Sequence, residues 1–270
     1  MENIKITFVG GGHMGRALIG GLIAGGTAAQ NITVADPDDS QRSALEQDLA
    51  VNTSADGAAA VKGADIAVLA VKPQIMDTVL EQIAPAIHPD MLVISVAAGV
   101  TAQRISDRLN GHERIVRVMP NTPALYRAGV TGMVAASGVD ERGRELADKV
   151  LAAAGHTVWV DDEDQMDAVT AVSGSGPAYF FLLVECLARA GQNAGLPEQA
   201  AEQLARQTAY GAGVMLKESG LDAAELRRRV TSPGGTTAAA LESLNGNHFE
   251  RLIEDAVEAA VQRGRELGKA

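Results

Sequence analysis

The chain has a single cysteine, Cys186, among 270 residues, so it can form neither an intrachain disulfide nor a thiolate zinc cluster. Aromatic residues make up 3%, leaving few rings for a base-stacking surface. Basic residues are outnumbered, 23 Lys and Arg against 34 Asp and Glu, for a net charge of −11. A chain that acidic repels nucleic acid and anionic lipid. The charge is not segregated: residues 1–163 carry 13 basic and 20 acidic side chains, and residues 164–270 carry 10 and 14. No basic arm or acidic tail results. No apolar run nears the roughly 18 residues that span a bilayer, and the opening MENIKITFVG lacks a signal-peptide pattern. The expectation is a soluble cytoplasmic protein with no nucleic-acid and no membrane partner.

Two further absences narrow the chemistry. None of the five histidines pairs with Asp, Glu or Cys at metal-ligand spacing. No local Ser–His or Cys–His arrangement offers an activated nucleophile. Cys186 lies in the apolar run Ala178–Ala190, where the expected role is a small buried side chain.

What is present is ordinary globular composition, 46% hydrophobic and 21% charged. The length suits one large domain or two modest ones. In the first 163 residues, short apolar runs alternate with amphipathic segments. Ile4–Val9, Ile32–Ala35, Ile66–Val71, Leu92–Val96, Ile115–Met119, Val130–Ala135 and Thr157–Val160 read as strands. Helices are expected near 38–49, 73–84, 101–109 and 140–153. That alternation predicts an α/β domain with a parallel, doubly wound sheet. After Asp161–Asp164 no convincing strand follows. Ala178–Asn193 reads as an apolar helix with Pro177 at its first position. Phe249, Leu252, Ile253, Ala256, Val257, Ala260, Val261, Gly264 and Leu267 form a helical stripe. Residues 164–270 are therefore predicted to be an all-helical second domain. Its apolar faces favour burial against a second copy of the chain over packing within one copy.

Gly10-Gly11-Gly12-His13-Met14-Gly15 fits G-x-G-x-x-G directly after a strand and at the start of a helix. Gly10 permits the tight turn, Gly12 lets a pyrophosphate approach, and Gly15 lets the helix pack on the strand. The phosphates would meet free N–H groups at the positive end of the helix dipole. Asp36 ends the second strand about 20 residues past this loop, where an acid accepts the ribose hydroxyls. That tilts the cofactor towards NADH. Arg42 is close enough in sequence to serve a 2′-phosphate, so NADPH stays open, and Asp36 has helix capping as its alternative role. Ligands of such sheets lie beyond the carboxyl ends of the strands. This adds Ala70, Val71, Lys72 and Pro73, then Ala97 and Gly99, then Asn121 and Pro123 as cofactor contacts. Lys72 has a solvated surface role as its alternative.

A second glycine-rich loop, Ser232-Pro233-Gly234-Gly235-Thr236-Thr237, precedes a helix bearing Leu241 and Leu244. The N–H groups of Gly234, Gly235, Thr236 and Thr237 are candidates for a small-anion cradle. A capped interhelical turn is the alternative. Ser173-Gly174-Ser175-Gly176-Pro177 lets a helix begin close to another backbone.

Several of these motifs together resemble pyrroline-5-carboxylate reductase: AVKP at 70–73, VAAGV at 96–100, RVMPNTPAL at 117–125, AVSGSGPAYFF at 171–181 and VTSPGGTTAAAL at 230–241. The resemblance implies an N-terminal Rossmann domain and a helical domain that interlocks with its partner's, with a substrate pocket at that dimer interface. Residues matching Ser232–Thr237 would hold the substrate carboxylate, with Thr237 near the imine nitrogen as the catalytic side chain. Assembly into five dimers is common among such proteins. This sequence departs from the pattern at His13 and Gly57, where the family usually or often has Asn. It departs again at Ala223, where proline is common. A β-hydroxyacid dehydrogenase would need a lysine soon after a glycine-rich helix start, and after Gly176 the next lysine is Lys217.

Overall fold

The computed structural model describes residues 4–268. Its chain forms two compact units, one of Met1–Ser175 with Ala260–Ala270, the other of Gly176–Ala259. The stretch from Ala260 groups with the first unit.

The first unit is built on an eight-stranded sheet. Its strands are β1 (Ile6–Val9), β2 (Ile32–Ala35), β3 (Asn52–Ser54), β4 (Ile66–Leu69), β5 (Leu92–Ser95), β6 (Ile115–Met119), β7 (Gly129–Ala135) and β8 (Gly155–Trp159). They lie in the order β3-β2-β1-β4-β5-β6-β7-β8. All pairings are parallel except β6 with β7. The reversal between β1 and β4 opens the crevice where ligands of doubly wound sheets bind.

Six helices cross between strands: α1 (His13–Ala24), α2 (Asp39–Leu49), α3 (Gly57–Val61), α4 (Met76–Ile83), α5 (Ala102–Arg108) and α6 (Glu141–Leu151). Strand residues alternate between two cores, as the period of two requires. Ile6, Phe8, Ile66, Val68 and Ile94 pack with Leu18, Leu45 and Val150 on one face. Val9, Ala67, Leu69 and Val93 pack with Val61, Leu80 and Ile105 on the other. Helices cover both faces, which is why β4 reads as an unbroken apolar run. The sequence reading missed β3 and α3. β3 is a three-residue edge strand, Asn-Thr-Ser, with no fully buried position, so it carries no apolar period.

Arg117 on β6 is buried and pairs with Glu163 at 2.6 Å, and the same carboxylate accepts the Ala102 N–H at 2.7 Å. One acid thus ties β6, the start of α5 and the chain beyond β8. His112 is also buried, with Nε2 at 2.9 Å from the Met91 carbonyl. Burial holds its pKa below the ordinary histidine value, the carbonyl bond partly opposing. The unfolded chain therefore takes up this proton first as pH falls. The stability His112 contributes is present above about pH 6.5 and is lost as pH drops from there through the lower folded value. Thermal melts between pH 7 and 5 should show Tm falling, and His112→Gln should flatten part of that slope. An unchanged slope would assign the acid sensitivity elsewhere.

After β8, a continuous helical stretch runs Glu163–Asn193. It comprises a short 3-10 turn, α7 (Met166–Val169), a π-turn at Thr170–Gly174 and α8 (Gly176–Asn193). Pro177 therefore does not open a helix, as expected, but sits in the second position of α8 within this longer run. In α-register its N–H would have bonded the Ser173 carbonyl, and proline has none to give. The backbone widens instead, with Ser175 N–H donating to the Thr170 carbonyl at 2.8 Å. By length and composition this stretch is apolar enough to cross a membrane, which corrects the expectation that no segment approaches that length. Thr170 and Ser173-Gly174-Ser175-Gly176-Pro177 break its apolar run in sequence.

The second unit is helical throughout its described residues: α8, α9 (Glu198–Glu218), α10 (Ala223–Arg229), α11 (Thr236–Gly246) and the first part of α12 (Phe249–Gly268). Ala223 replaces no structural need: Asp222 caps α10 by accepting the Glu225 N–H at 2.7 Å. Phe180, Phe181, Leu183, Leu204, Tyr210 and Leu252 are exposed in the single chain. Cys186 is exposed too, against the expectation of burial. It lies on a helix whose apolar face the single chain leaves open.

Candidate functional site

The glycine loop sits at the carboxyl end of β1. Gly10 has φ +104°, and a Cβ there would lie 2.6 Å from the Ala70 carbonyl oxygen. Only glycine meets both conditions. A Cβ on Gly15 would lie 2.8 Å from the Gly10 carbonyl, so the third glycine brings α1 against the turn. Gly12 differs: a Cβ there meets nothing within 4 Å. Gly12 is also the N-cap of α1, with φ −65° and no side-chain cap. The space over Gly12 is open.

The donors facing that space can be named one by one. Gly10 N–H is used by the Ala35 carbonyl at 2.8 Å, and Gly11 N–H by Asp36 Oδ2 at 2.8 Å. Gly11 N–H is therefore engaged within the loop. Helix geometry leaves His13, Met14 and Gly15 without intrahelical acceptors. With Gly12, they are the amides available to an anion. The loop thus fits a dinucleotide.

Asp36 stands at the end of β2, half-buried, with Oδ1 accepting the Asp38 N–H at 2.9 Å. The capping alternative falls to Asp38, which accepts the Ser40 and Gln41 N–H groups at the start of α2. Hydrogen bonding from Ser40, side chain first, holds the Asp38 carboxyl below its ordinary pKa.

The other strand ends behave differently from one another. Ala70 and Val71 pack against the glycine turn. Lys72 is exposed and precedes the 3-10 turn Pro73–Ile75, with Pro73 at its first position. Ala97 is buried. Gly99, at φ +75°, faces the last turn of α12, where a Cβ on Gly99 would lie 3.4 Å from the Gly268 nitrogen. Asn121 is buried, and its side-chain amide makes two hydrogen bonds. Nδ2 donates to the Ser173 carbonyl at 3.1 Å and Oδ1 accepts the Val130 N–H at 2.9 Å. The carbonyl it serves is the one Pro177 deprives of a partner. Asn121 therefore clamps β6, β7 and the π-turn. Pro123 lies in the 3-10 turn Thr122–Tyr126 that follows.

The second glycine loop lies wholly in the second unit. Gly234 has φ +68°, and Gly235 N–H closes the turn onto the Ser232 carbonyl at 3.0 Å. That use removes Gly235 from the expected donor set. Gly235 is the N-cap of α11, with no side-chain cap. Thr236, Thr237 and Ala238 then present N–H groups with no intrahelical acceptor. Ser232, Pro233, Gly234 and Thr236 are exposed and Thr237 is half-buried. This is an open nest for a small anion. Ala238 joins it through the helix geometry, a contribution the motif alone did not indicate.

A family model for pyrroline-5-carboxylate reductase dimerisation matches residues 163–267, and one for NADP oxidoreductase, coenzyme F420-dependent, matches residues 5–99. Pyrroline-5-carboxylate reductase of Pseudomonas aeruginosa is 46% identical, over 100% of this chain and 98% of its own. The Haemophilus influenzae enzyme of that name is 42% identical, over 99% and 98%. The structure of the Coxiella burnetii reductase superposes with a TM-score of 0.96 at 40% identity, covering 98% of this chain and 99% of that one. Plasmodium falciparum pyrroline carboxylate reductase with NADP bound gives 0.85 at 33%, covering 99% of each. Likeness at that level along the whole length, with a dinucleotide loop and an anion nest in place, means that the chain belongs to the pyrroline-5-carboxylate reductase family.

Proposed function

We propose that catalysis in this chain uses two backbone nests, one for a dinucleotide and one for the carboxylate of a cyclic imino acid. The enzyme is an NAD(P)H-dependent oxidoreductase that reduces the C=N bond of L-1-pyrroline-5-carboxylate to L-proline, the last step of proline synthesis. The observation that carries the substrate side is the uncapped start of α11 behind Pro233-Gly234-Gly235.

Bound NAD(P)H supplies the hydride, which goes to the imine carbon while the ring nitrogen gains a proton. The imine is already electrophilic, so no covalent nucleophile is needed. Gly12, His13 and Met14 hold the pyrophosphate through N–H groups. Ala70, Val71, Lys72, Pro73, Ala97, Gly99 and the backbones of Asn121 and Pro123 border the rest of the dinucleotide. Ser232, Pro233, Gly234, Gly235, Thr236 and Thr237 shape the carboxylate loop. The Thr237 hydroxyl, which has no hydrogen bond among the described residues, hydrogen-bonds the nitrogen as it becomes an amine or relays a solvent proton to it through water. The remaining requirement is proximity: donor and acceptor carbons about 3–3.5 Å apart in a near-attack geometry.

Residues 1–163 serve as the dinucleotide domain and 164–270 as the dimerisation and substrate domain. The dimerisation match at 163–267 supports homo-oligomerisation and a cover for the exposed face of α8. It favours a soluble cytoplasmic oligomer over a membrane span for Glu163–Asn193. We take the unit to be a homodimer, five of which build a decamer. A steady-state assay following reduced-cofactor absorbance tests the reaction. Turnover should appear with pyrroline-5-carboxylate and be absent with short 3-hydroxy acids. Turnover with the hydroxy acids alone would overturn the assignment.

A further inference from the structure

The end of β2 concentrates acid. Asp36, Asp38 and Asp39 fall within four positions, and Arg42 is the cation beside them. Both groups that matter are already engaged. The Asp36 carboxylate is fixed by two backbone donors, Gly11 N–H at 2.8 Å and Asp38 N–H at 2.9 Å. The first of these aims it at the glycine loop. Arg42 is spent as well: Nη1 donates to the Asp36 carbonyl at 2.7 Å and Nη2 to Asp39 Oδ1 at 2.7 Å. Its side chain is 17% exposed, while that of Asp39 is 89% exposed.

This inference rests on the reading of the glycine loop as the pyrophosphate site. A dinucleotide anchored over Gly12 brings its adenosine ribose to the end of β2. An ionised carboxylate only accepts hydrogen bonds. It suits two ribose hydroxyls, which donate. A 2′-phosphate brings up to two negative charges and no donor, against a carboxylate whose position two amides have fixed. Relief would have to come from Arg42, whose guanidinium is directed onto Asp36 and Asp39 instead.

We propose that this enzyme prefers NADH to NADPH, that Asp36 sets the preference, and that Asp39 withholds Arg42 from a 2′-phosphate. The preference is compatible with use of both cofactors. It distinguishes this chain from any relative whose corresponding loop leaves its arginine free.

Titration calorimetry of the full-length enzyme with NAD⁺ and with NADP⁺, without substrate, tests it by binding alone. The wild type should bind NAD⁺ about 10-fold tighter or more, the scale of one unrelieved charge contact near a protein surface. Asp36→Asn keeps an acceptor for the Gly11 N–H while removing the charge. Combined with Asp39→Asn, it should lower the NAD⁺/NADP⁺ affinity ratio by about 10-fold or more. Adding Arg42→Ala to that pair should remove the gained NADP⁺ affinity. Asp39→Asn alone changes an exposed side chain, so it reports on Arg42 even if the Asp36 variant folds poorly; it should raise NADP⁺ affinity. Wild-type NADP⁺ binding as tight as NAD⁺, or a ratio unmoved in the double variant, overturns the proposal. So does an unchanged NADP⁺ affinity in Asp39→Asn. Failure to bind either nucleotide would instead count against the glycine-loop reading beneath it.

Discussion

Gly12→Asp is expected to yield an enzyme that folds at least as well as the wild type and has lost its cofactor. Gly12 is the N-cap of α1 in extended backbone, at φ −65° and ψ −177°. Its Cβ would point into open space. Aspartate is among the best N-cap residues, and gaining it in place of glycine contributes about a few tenths of a kcal/mol. The same carboxylate would occupy the amides of α1's first turn and repel a pyrophosphate. Losing those donors and gaining a like charge should weaken dinucleotide binding about 100-fold or more, some 3 kcal/mol. Calorimetry for the affinity and a thermal melt for the fold read the two effects separately. Retained affinity with an unchanged or raised Tm would place the pyrophosphate somewhere other than over Gly12. Gly10→Ala makes the contrast, since strain at φ +104° and a clash with the Ala70 carbonyl should cost stability directly.

Thr237→Ala is expected to lower kcat by about 10-fold or more, because positioned proton transfer contributes about 10²–10⁴-fold. The substitution leaves the Thr237 N–H in place, so the anion nest at the start of α11 keeps its donors. KM for the imino acid should therefore change much less than kcat. Stability should hardly move, since alanine is the better helix former. Thr237→Ser, which restores a hydroxyl, should recover most of the loss. Wild-type turnover in Thr237→Ala would remove this hydroxyl from the chemistry. An equal rise in KM alone would make Thr237 part of the carboxylate grip only.

The two nests show how far a motif reaches. G-x-G-x-x-G located the dinucleotide loop because its context, strand before and helix after, is local. It did not say which N–H groups remain free. Gly11 spends its own on Asp36, and Gly235 spends its own on the Ser232 carbonyl. Both are decisions of hydrogen-bond partnership at a distance in space or across a turn. Asn121 is the same lesson from the side chain. RVMPNTPAL is a recognisable string, yet only folding sets its amide between the Val130 N–H and the Ser173 carbonyl. Pro177 reads as the costless first residue of a helix; inside the longer helix its missing N–H leaves the Ser173 carbonyl to the Asn121 amide.

Apolar periodicity fixed most of the strands and helices of the first unit, since burial on two faces writes itself into every second or every third to fourth residue. It could not reveal β3, an edge strand of small polar residues held by its pairing to β2. Nor could composition decide whether the apolar residues of α8 are inside. Cys186 and Phe181 look alike in sequence to core residues, and the single chain leaves both exposed. Whether such a face is buried depends on what lies against it, and for a surface covered by a second copy that is a property of assembly. The alternation of strand and helix, the two glycine loops and the acid at Asp36 were thus set by residue type and spacing. Which amides stay unpaired, where the arginine is directed and which apolar faces remain open were settled only in three dimensions, because each depends on groups far apart along the chain competing for the same partner.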